Sequence, residues 1–119
     1  MEVQTNALTT ILIGSLIIKT KRNKLVNRSV LIDSKGRIKS YYDKIHMYDV
    51  KLSKKEIYAE SKTFSPGTKY KVAELPWGKL GMTICYDLRF PHLYRSLAKK
   101  GAKFLSVPSA FTETTGKRH

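Results

Sequence analysis

The sequence predicts a single α/β domain, on three observations. Residues 79–107 contain an apolar segment, a segment of helical periodicity and a second apolar segment, an order typical of an α/β sheet. Segment 25–33, with its β-branched residues, is followed by the turn sequence Asp33–Gly36 and by segment 37–42, which predicts a hairpin. The chain has 119 residues, enough for one domain and too few for two. We therefore assign residues 1–119 to one domain.

The amino-terminal part begins with residues 1–10, a polar segment that we expect to be frayed. Residues 11–18 follow as an apolar run without alternation, which predicts a strand buried on both faces. The run is shorter than the ~20 apolar residues that cross a membrane. No positive charge precedes it, as one would in a secretory signal. We therefore predict a cytoplasmic protein with no membrane partner, and a charged turn at Lys19–Lys24.

Residues 43–68 follow the hairpin and show neither helical nor strand periodicity. We predict a long loop here, and a loop of this length inside a compact domain usually serves a function. The loop contains Lys44, His46 and Glu60.

The remaining segments complete the α/β pattern. Residues 69–75 predict a half-exposed strand and residues 79–85 a second strand with one apolar face. The predicted helix spans residues 91–100, with a proline at its first position and Gly101 after its end. Residues 102–107 predict the strand that closes the strand–helix–strand unit.

The net charge of +14 raises the question of an anionic partner. Lysines supply most of this excess, and they are scattered over predicted strands, turns and helix rather than gathered on one face. The densest clusters, residues 19–24 and 51–55, fall where turns are expected. Solvated lysines at strand edges also oppose aggregation. We therefore do not predict a specific nucleic-acid partner, and a basic nucleic-acid binder stays a disfavoured hypothesis.

Cys85 is the single cysteine, which excludes an intramolecular disulfide. Zinc sites in proteins also use histidine, and the histidines of this chain are His46, His92 and His119. These three residues and Cys85 are widely spaced in the sequence. We therefore predict neither a metal nor a cofactor.

The position of Cys85 is typical of a nucleophile. It ends the predicted strand 79–85 and precedes a turn into a helix, and ligands of α/β folds bind outside the carboxyl ends of strands. Backbone N–H groups at such a turn, together with a nearby cation, favour the reactive thiolate. Free cysteines are also commonly buried as small hydrophobic residues. The residues alone leave both interpretations open.

Lys44, His46 and Glu60 have the same ambiguity. A lysine drawn into a closed site can act as a cation and as a proton donor. Most lysines and glutamates of a basic chain are solvated surface groups instead. Composition and spacing do not decide between the two.

Two longer stretches narrow these alternatives. Gly78–Pro91 reads GKLGMTICYDLRFP and Tyr42–Asp49 reads YDKIHMYD. They closely resemble the cysteine motif and the lysine motif of the nitrilase superfamily, in its amidase-like, Nit-type branch. Further segments that resemble the family occur in the family's order: Asn27–Val30, Glu60–Ser61, Pro66–Gly67, Gly101–Ala102 and Pro108–Thr112. The resemblance covers residues 11–119.

The resemblance implies a fold and a chemistry. The fold is the α-β-β-α sandwich of the nitrilase type, of which this chain holds a part, and relatives are usually homodimers. The chemistry is hydrolysis of a non-peptide carbon–nitrogen bond in a small amide or nitrile, through a thioester on Cys85. Lys44 stabilises the oxyanion together with the backbone N–H of Tyr86. Glu60 orients the lysine or the attacking water.

One member of the family's catalytic triad has no match. The general base is a glutamate ahead of the lysine motif, whereas the acidic residues before Lys44 are Glu2, Asp33 and Asp43, and none lies in a matching motif. We therefore expect an internal fragment, truncated at both ends. Loss of a general base costs about 10²- to 10⁴-fold in rate, so we expect the chain alone to be inactive or impaired. The alternative is a non-catalytic remnant, or a subunit that pairs with a complementary chain.

Overall fold

A computed structural model describes residues 9–119, so most of the segment predicted to be frayed lies outside the described residues. The helices and strands in this range follow the α/β order. The elements are β1 Ile11–Lys19, β2 Leu25–Ile32, β3 Ile38–Asp43, β4 Asp49–Lys51, β5 Ile57–Ala59, β6 Lys71–Leu75, β7 Gly78–Met82, α1 Pro91–Lys99, β8 Ala102–Ser106 and α2 Glu113–Gly116. Two 3₁₀ turns, Glu60–Lys62 and Cys85–Arg89, lie between them.

The strands form two three-stranded sheets and one hairpin. The first sheet has the antiparallel order β1-β2-β3, and the second has the order β6-β7-β8. In the second sheet β6 and β7 are antiparallel, whereas β7 and β8 are parallel and are joined through α1. A parallel pair needs such a crossover connection. The α/β prediction is confirmed.

The core lies between the two sheets. Leu31 and Tyr42 of the first sheet pack against Leu80 and Met82 of β7, and all four side chains are buried. Alternation along β7 directs Gly81 to the opposite face, towards α1. A side chain at position 81 would be crowded there, because an added Cβ would lie 2.9 Å from a methyl carbon of Leu105 in β8 and 3.1 Å from one of Leu97 in α1. The chain thus has a sheet–sheet–helix order of layers.

The helix α1 begins at Pro91 and buries Leu93 and Leu97. Proline suits the first helical position because its missing N–H has no acceptor there. Neither helix of residues 9–119 is both long and apolar enough to span a bilayer.

The prediction of an unstructured loop over residues 43–68 is wrong in part. This segment contains the hairpin of β4 and β5, with Asp49 opposite Ala59 and Lys51 opposite Ile57. Each of these strands is three residues long. Strands this short cannot produce a period-2 pattern that stands out from the lysines around them.

The burial predicted for β1 is also wrong. The strand is present, but its side chains are largely exposed, with Ile17 at 70% and Ile11 at 53%. Among the described strands β1 pairs with β2 alone, and it forms the edge of its sheet. An apolar run predicts an extended strand, whereas burial depends on neighbours that the run itself does not specify.

Candidate active site

Cys85 lies in a tight turn after the carboxyl end of β7. The sequence predicted that the strand runs to residue 85, but its ladder ends at Met82, and Cys85 is the first residue of the 3₁₀ turn. Its φ of +47° is uncommon for a residue with a Cβ, and such conformations cluster at functional sites. The Cys85 N–H donates to the carbonyl of Pro108 at 2.9 Å. The half-buried cysteine is therefore fixed outside the sheet edge.

Lys44 and Glu60 form a buried ion pair. Lys44 Nζ lies 2.5 Å from Glu60 Oε1, and the lysine side chain is only 3% exposed. Glu60 Oε1 also accepts the backbone N–H of Tyr48 at 2.7 Å. A buried lysine needs such a partner, because an uncompensated charge in the interior is costly. The pair thus fixes an ammonium group in a nearly solvent-free position.

Backbone contacts hold Lys44 on both sides. Its N–H donates to the carbonyl of Asn27 in β2 at 2.9 Å, and its carbonyl accepts the N–H of Gly67 at 2.8 Å. Gly67 packs directly on the carbonyl of Asp43, where a Cβ would collide with it. The Pro66–Gly67 segment therefore clamps the lysine segment against the first sheet.

Asp87 joins the cysteine turn to the lysine segment. It is completely buried, and its Oδ2 accepts the Tyr42 hydroxyl at 2.6 Å and the Ile84 N–H at 2.9 Å. Its Oδ1 accepts the backbone N–H of His46 at 3.1 Å and lies 2.7 Å from Nδ1 of the same residue. The carboxylate of Asp87 therefore links the cysteine motif to the lysine motif.

Tyr42 makes contacts on the lysine-motif side of this junction. Its hydroxyl donates to Asp87 and accepts the N–H of Ile45 at 3.2 Å. Burial, followed by the hydrogen bond to Asp87, raises the pKa of Tyr42 well above its usual value. The hydroxyl therefore stays protonated and keeps its donor role.

A series of contacting aromatic rings extends from Asp87 to the cleft. His46 stacks on Phe90 with ring centroids 3.7 Å apart, and Tyr86 meets Phe90 edge to face at 5.4 Å. Tyr48 meets Tyr86 in the same way at 4.8 Å. Such pairs add stabilisation beyond their buried area. The rings bring the 3₁₀ turn against the segment that follows the lysine motif.

These segments surround a cleft of about 720 Å³. His119 stacks on Phe111 at one side of it, with ring centroids 4.2 Å apart. Burial and nearby Arg89 lower the pKa of His119, which favours its neutral form. The cleft is lined by Gly14, Ser15, Asn27, Lys44, Tyr48, Ile57, Tyr58, Ala59, Glu60, Ile84, Cys85, Tyr86, Pro108, Ser109, Ala110, Phe111, Thr112, Thr115 and His119.

The four site residues predicted from the sequence all line this cleft: Cys85, Lys44, Glu60 and Tyr86. The ring of His46 lies instead against Asp87 and Phe90. The cleft thus brings together a thiol, an ammonium group and a carboxylate, a set suited to covalent acyl transfer.

The sequence interpretation missed the roles of two residues, Asp87 and Tyr42. A signal existed for Asp87, since a lone carboxylate follows an apolar strand directly and must find buried donors. Residues 9–119 contain no group of three His, Cys, Asp or Glu side chains placed to hold a metal ion.

The model of the family described as carbon-nitrogen hydrolase matches residues 2–119. The chain belongs to the carbon-nitrogen hydrolase family. The resemblance to the nitrilase superfamily, inferred from the cysteine and lysine motifs, is thereby confirmed.

Relatives within the carbon-nitrogen hydrolase family include a protein named deaminated glutathione amidase from Yersinia enterocolitica. It is 47% identical over 112 residues, which cover 90% of this chain and 38% of the relative. The chain therefore spans little more than a third of the length of this relative.

Two solved structures share the fold. The C. elegans NitFhit protein superposes with a TM-score of 0.84 at 36% identity, over 94% of this chain and 28% of that one. A mutant of the amidase from Nesterenkonia sp. AN1 superposes with a TM-score of 0.72 at 25% identity, over 92% of this chain and 41% of that one. This mutant has acrylamide added to its active site cysteine.

Proposed function

We propose that this chain carries the nucleophile and the oxyanion site of an amidase that works through a cysteine thioester. The observation that carries the proposal is that Cys85, Lys44, Glu60 and Tyr86 line one cleft, although three separate segments contribute them. The proposed domain, residues 1–119, is part of a carbon-nitrogen hydrolase domain.

In the first step the thiolate of Cys85 attacks the carbonyl carbon of a small amide. The carbonyl π electrons move to oxygen and give a tetrahedral oxyanion. The C–N bond then breaks, the nitrogen takes a proton and leaves as ammonia or as an amine, and the acyl group stays on sulfur as a thioester. Water attacks the thioester, releases the carboxylic acid and restores the thiol.

Lys44 and the N–H of Tyr86 stabilise the oxyanion in this scheme. Lys44 contributes a full positive charge in a nearly water-free position, where electrostatic stabilisation is strong. Tyr86 is the second residue of its 3₁₀ turn, and N–H groups at the start of a helical turn have no acceptor within that turn. Glu60 keeps the ammonium group in place through the 2.5 Å contact.

A base must take the proton of the Cys85 thiol and deliver it to the leaving nitrogen. The nitrilase resemblance assigns this role to a glutamate, and Glu2, Asp33 and Asp43 do not match its motif. We therefore propose that another residue of the whole protein supplies the base. Impaired activity of this chain on its own, and its location in the cytoplasm, stay predictions from the sequence.

The relatives support an amide as the substrate. The Yersinia relative is named a deaminated glutathione amidase, and the human relative, 37% identical, is named an omega-amidase. Both names describe enzymes that hydrolyse an amide. We propose a substrate of this class for this chain.

The rate at which Cys85 alkylates tests the proposal on the chain itself. We expect iodoacetamide to modify Cys85 faster than a free thiol at neutral pH, and Lys44→Met to remove about tenfold of that advantage, because the thiolate loses its neighbouring cation. Lys51→Met, at an exposed lysine outside the cleft, is the matched control. The proposal would be contradicted if iodoacetamide modified Cys85 in the wild type, Cys85 in Lys44→Met and a free thiol at equal rates.

A non-catalytic subunit is the second candidate function. The exposed apolar side chains of Ile17 in β1 and of Phe104 and Leu105 in β8 favour it, since patches of this kind commonly mark protein contacts. Under this hypothesis Cys85 reacts as an ordinary thiol, so the alkylation experiment separates the two functions.

A further inference from the structure

Gly14 lies where the first sheet contacts the second beside the cleft. It belongs to β1, and it lines the cleft together with Pro108, which follows β8. The ring of Pro108 packs directly on this glycine. A Cβ added to Gly14 would lie 2.5 Å from Cγ and 2.9 Å from Cβ of the proline. A residue with a side chain therefore does not fit at position 14 unless Pro108 moves.

The backbone of β1 is bent for this contact. The pairing of β1 with β2 shifts in register between Ile13 and Leu16, where β1 has one residue more than β2. Such a bulge bends a strand and is common next to active sites. Ser29 of β2 lies at the bulge and is completely buried, and its hydroxyl donates to the carbonyl of Ile13 at 3.2 Å. The first sheet thus holds Gly14 against the proline.

Pro108 in turn holds the backbone of the cysteine. Its carbonyl accepts the N–H of Cys85 at 2.9 Å, and two residues earlier the carbonyl of Ser106 accepts the N–H of Thr83 at 3.1 Å. The pairing of β7 with β8 therefore continues beyond the ends of both strands, as far as the cysteine. The φ of +47° at Cys85 is a conformation that surrounding contacts must maintain. Pro108 thus connects a contact of the first sheet to the cysteine turn.

We propose that Gly14 is a positioning residue for Cys85. The inference rests on the proposed function. The missing side chain at position 14 lets Pro108 occupy the place from which its carbonyl fixes the Cys85 N–H, and with it the sulfur relative to Lys44. A proline ring is closed onto its own backbone nitrogen, so it cannot rotate away from an added methyl group. Gly14→Ala therefore displaces the backbone of Pro108 and the cysteine turn bonded to it.

The reaction of Cys85 with iodoacetamide, in which an S–C bond forms as iodide leaves, tests the inference in the 119-residue chain. We expect Gly14→Ala to react about fivefold more slowly than the wild type, because the thiolate moves away from its neighbouring cation. Gly116→Ala is the matched control, since a Cβ added there would lie 3.5 Å from Phe111, an ordinary contact distance. This variant should react at the wild-type rate.

A double-mutant cycle separates positioning from a general loss of structure. Lys44→Met should lower the alkylation rate about tenfold in the wild type and no more than about twofold in Gly14→Ala, where the thiolate has already lost most of the effect of the lysine. A protein that is merely destabilised would keep the full effect of Lys44→Met in its folded molecules. A wild-type rate in Gly14→Ala, or a full effect of Lys44→Met in that variant, overturns the inference.

A second test starts from the proline and decides even if Gly14→Ala alone does not fold. Pro108→Gly keeps the carbonyl and removes both ring carbons that lie nearest to position 14. Adding Gly14→Ala to Pro108→Gly should give a folded protein whose rate changes by less than about twofold. A double variant that does not fold, or that reacts several times more slowly than Pro108→Gly, overturns the inference. The wild-type rate against that of a free thiol tests the proposed function separately, because that comparison does not involve Gly14.

Discussion

Two carboxylates organise the cleft, and they do so in different ways. Asp87 is completely buried and uses both oxygens to accept hydrogen bonds from two separate segments. Glu60 is 15% exposed, and within the described residues it accepts through Oε1 alone. Asp87 therefore acts as a structural junction, whereas Glu60 holds one functional group through a single oxygen. The difference predicts that the same chemical change has unequal effects at the two positions.

Asp87→Asn should have the largest effect on stability. An amide carries one acceptor and one donor group, so it cannot accept from Tyr42, Ile84 and His46 together, and its NH₂ must face at least one donor. We expect the free energy of unfolding to fall by about 3 kcal/mol, as for several unsatisfied buried groups. Urea denaturation followed by circular dichroism measures it. A loss no greater than that of Glu60→Gln would contradict the junction role.

Tyr42→Phe should have a smaller effect, about 1–2 kcal/mol, because it removes one hydroxyl and leaves the other donors on Asp87. It also tests the pH dependence. The pKa of Tyr42 is raised in the folded chain, so its contribution is complete below the usual value of about 10 and decreases as the pH rises above it. The unfolded chain releases this proton there, and the folded chain keeps it.

The measurement is the difference in unfolding free energy between wild type and Tyr42→Phe at neutral pH and at pH values above 10. The difference should shrink as the pH rises. A difference that stays constant over this range would show that Tyr42 titrates alike in both states.

Glu60→Gln should lower the free energy of unfolding by about 2 kcal/mol, because the buried Lys44 ammonium group keeps an acceptor and loses the opposite charge. A glutamine oxygen can still accept from both Lys44 and Tyr48, because these two donors share one oxygen in the structure. Thermal unfolding of this variant beside Asp87→Asn gives the comparison directly. A larger loss here than at Asp87 would reverse the assignment of the two carboxylates.

Much of the site could be predicted from the sequence, because its residues lie in two dense motifs. The cysteine and lysine motifs, with Glu60, supplied every predicted residue that lines the cleft. The positions of six of the eight described strands and of α1 also followed from local patterns.

The unpredicted features depend on distant partners. The burial of Asp87 and the role of Tyr42 arise from a contact between residues 45 positions apart. No local pattern encodes that contact. The exposure of β1 has the same cause, since the run of residues 11–18 specifies an extended strand without specifying what covers it. The hairpin of β4 and β5 was missed because each of its strands has only three residues, too few for an alternating pattern to be recognised.

The activity of a completed domain tests the central claim most directly. Residues 9–119 would be joined to the flanking segments of the Yersinia enterocolitica relative, and release of a free amine from deaminated glutathione would be measured. We predict amidase activity that Cys85→Ala abolishes and that Lys44→Met lowers by about 10²- to 10³-fold, with Lys51→Met unchanged. Activity that survives Cys85→Ala, or a folded chimera that releases no amine, would contradict the assignment of Cys85 as the nucleophile of an amidase.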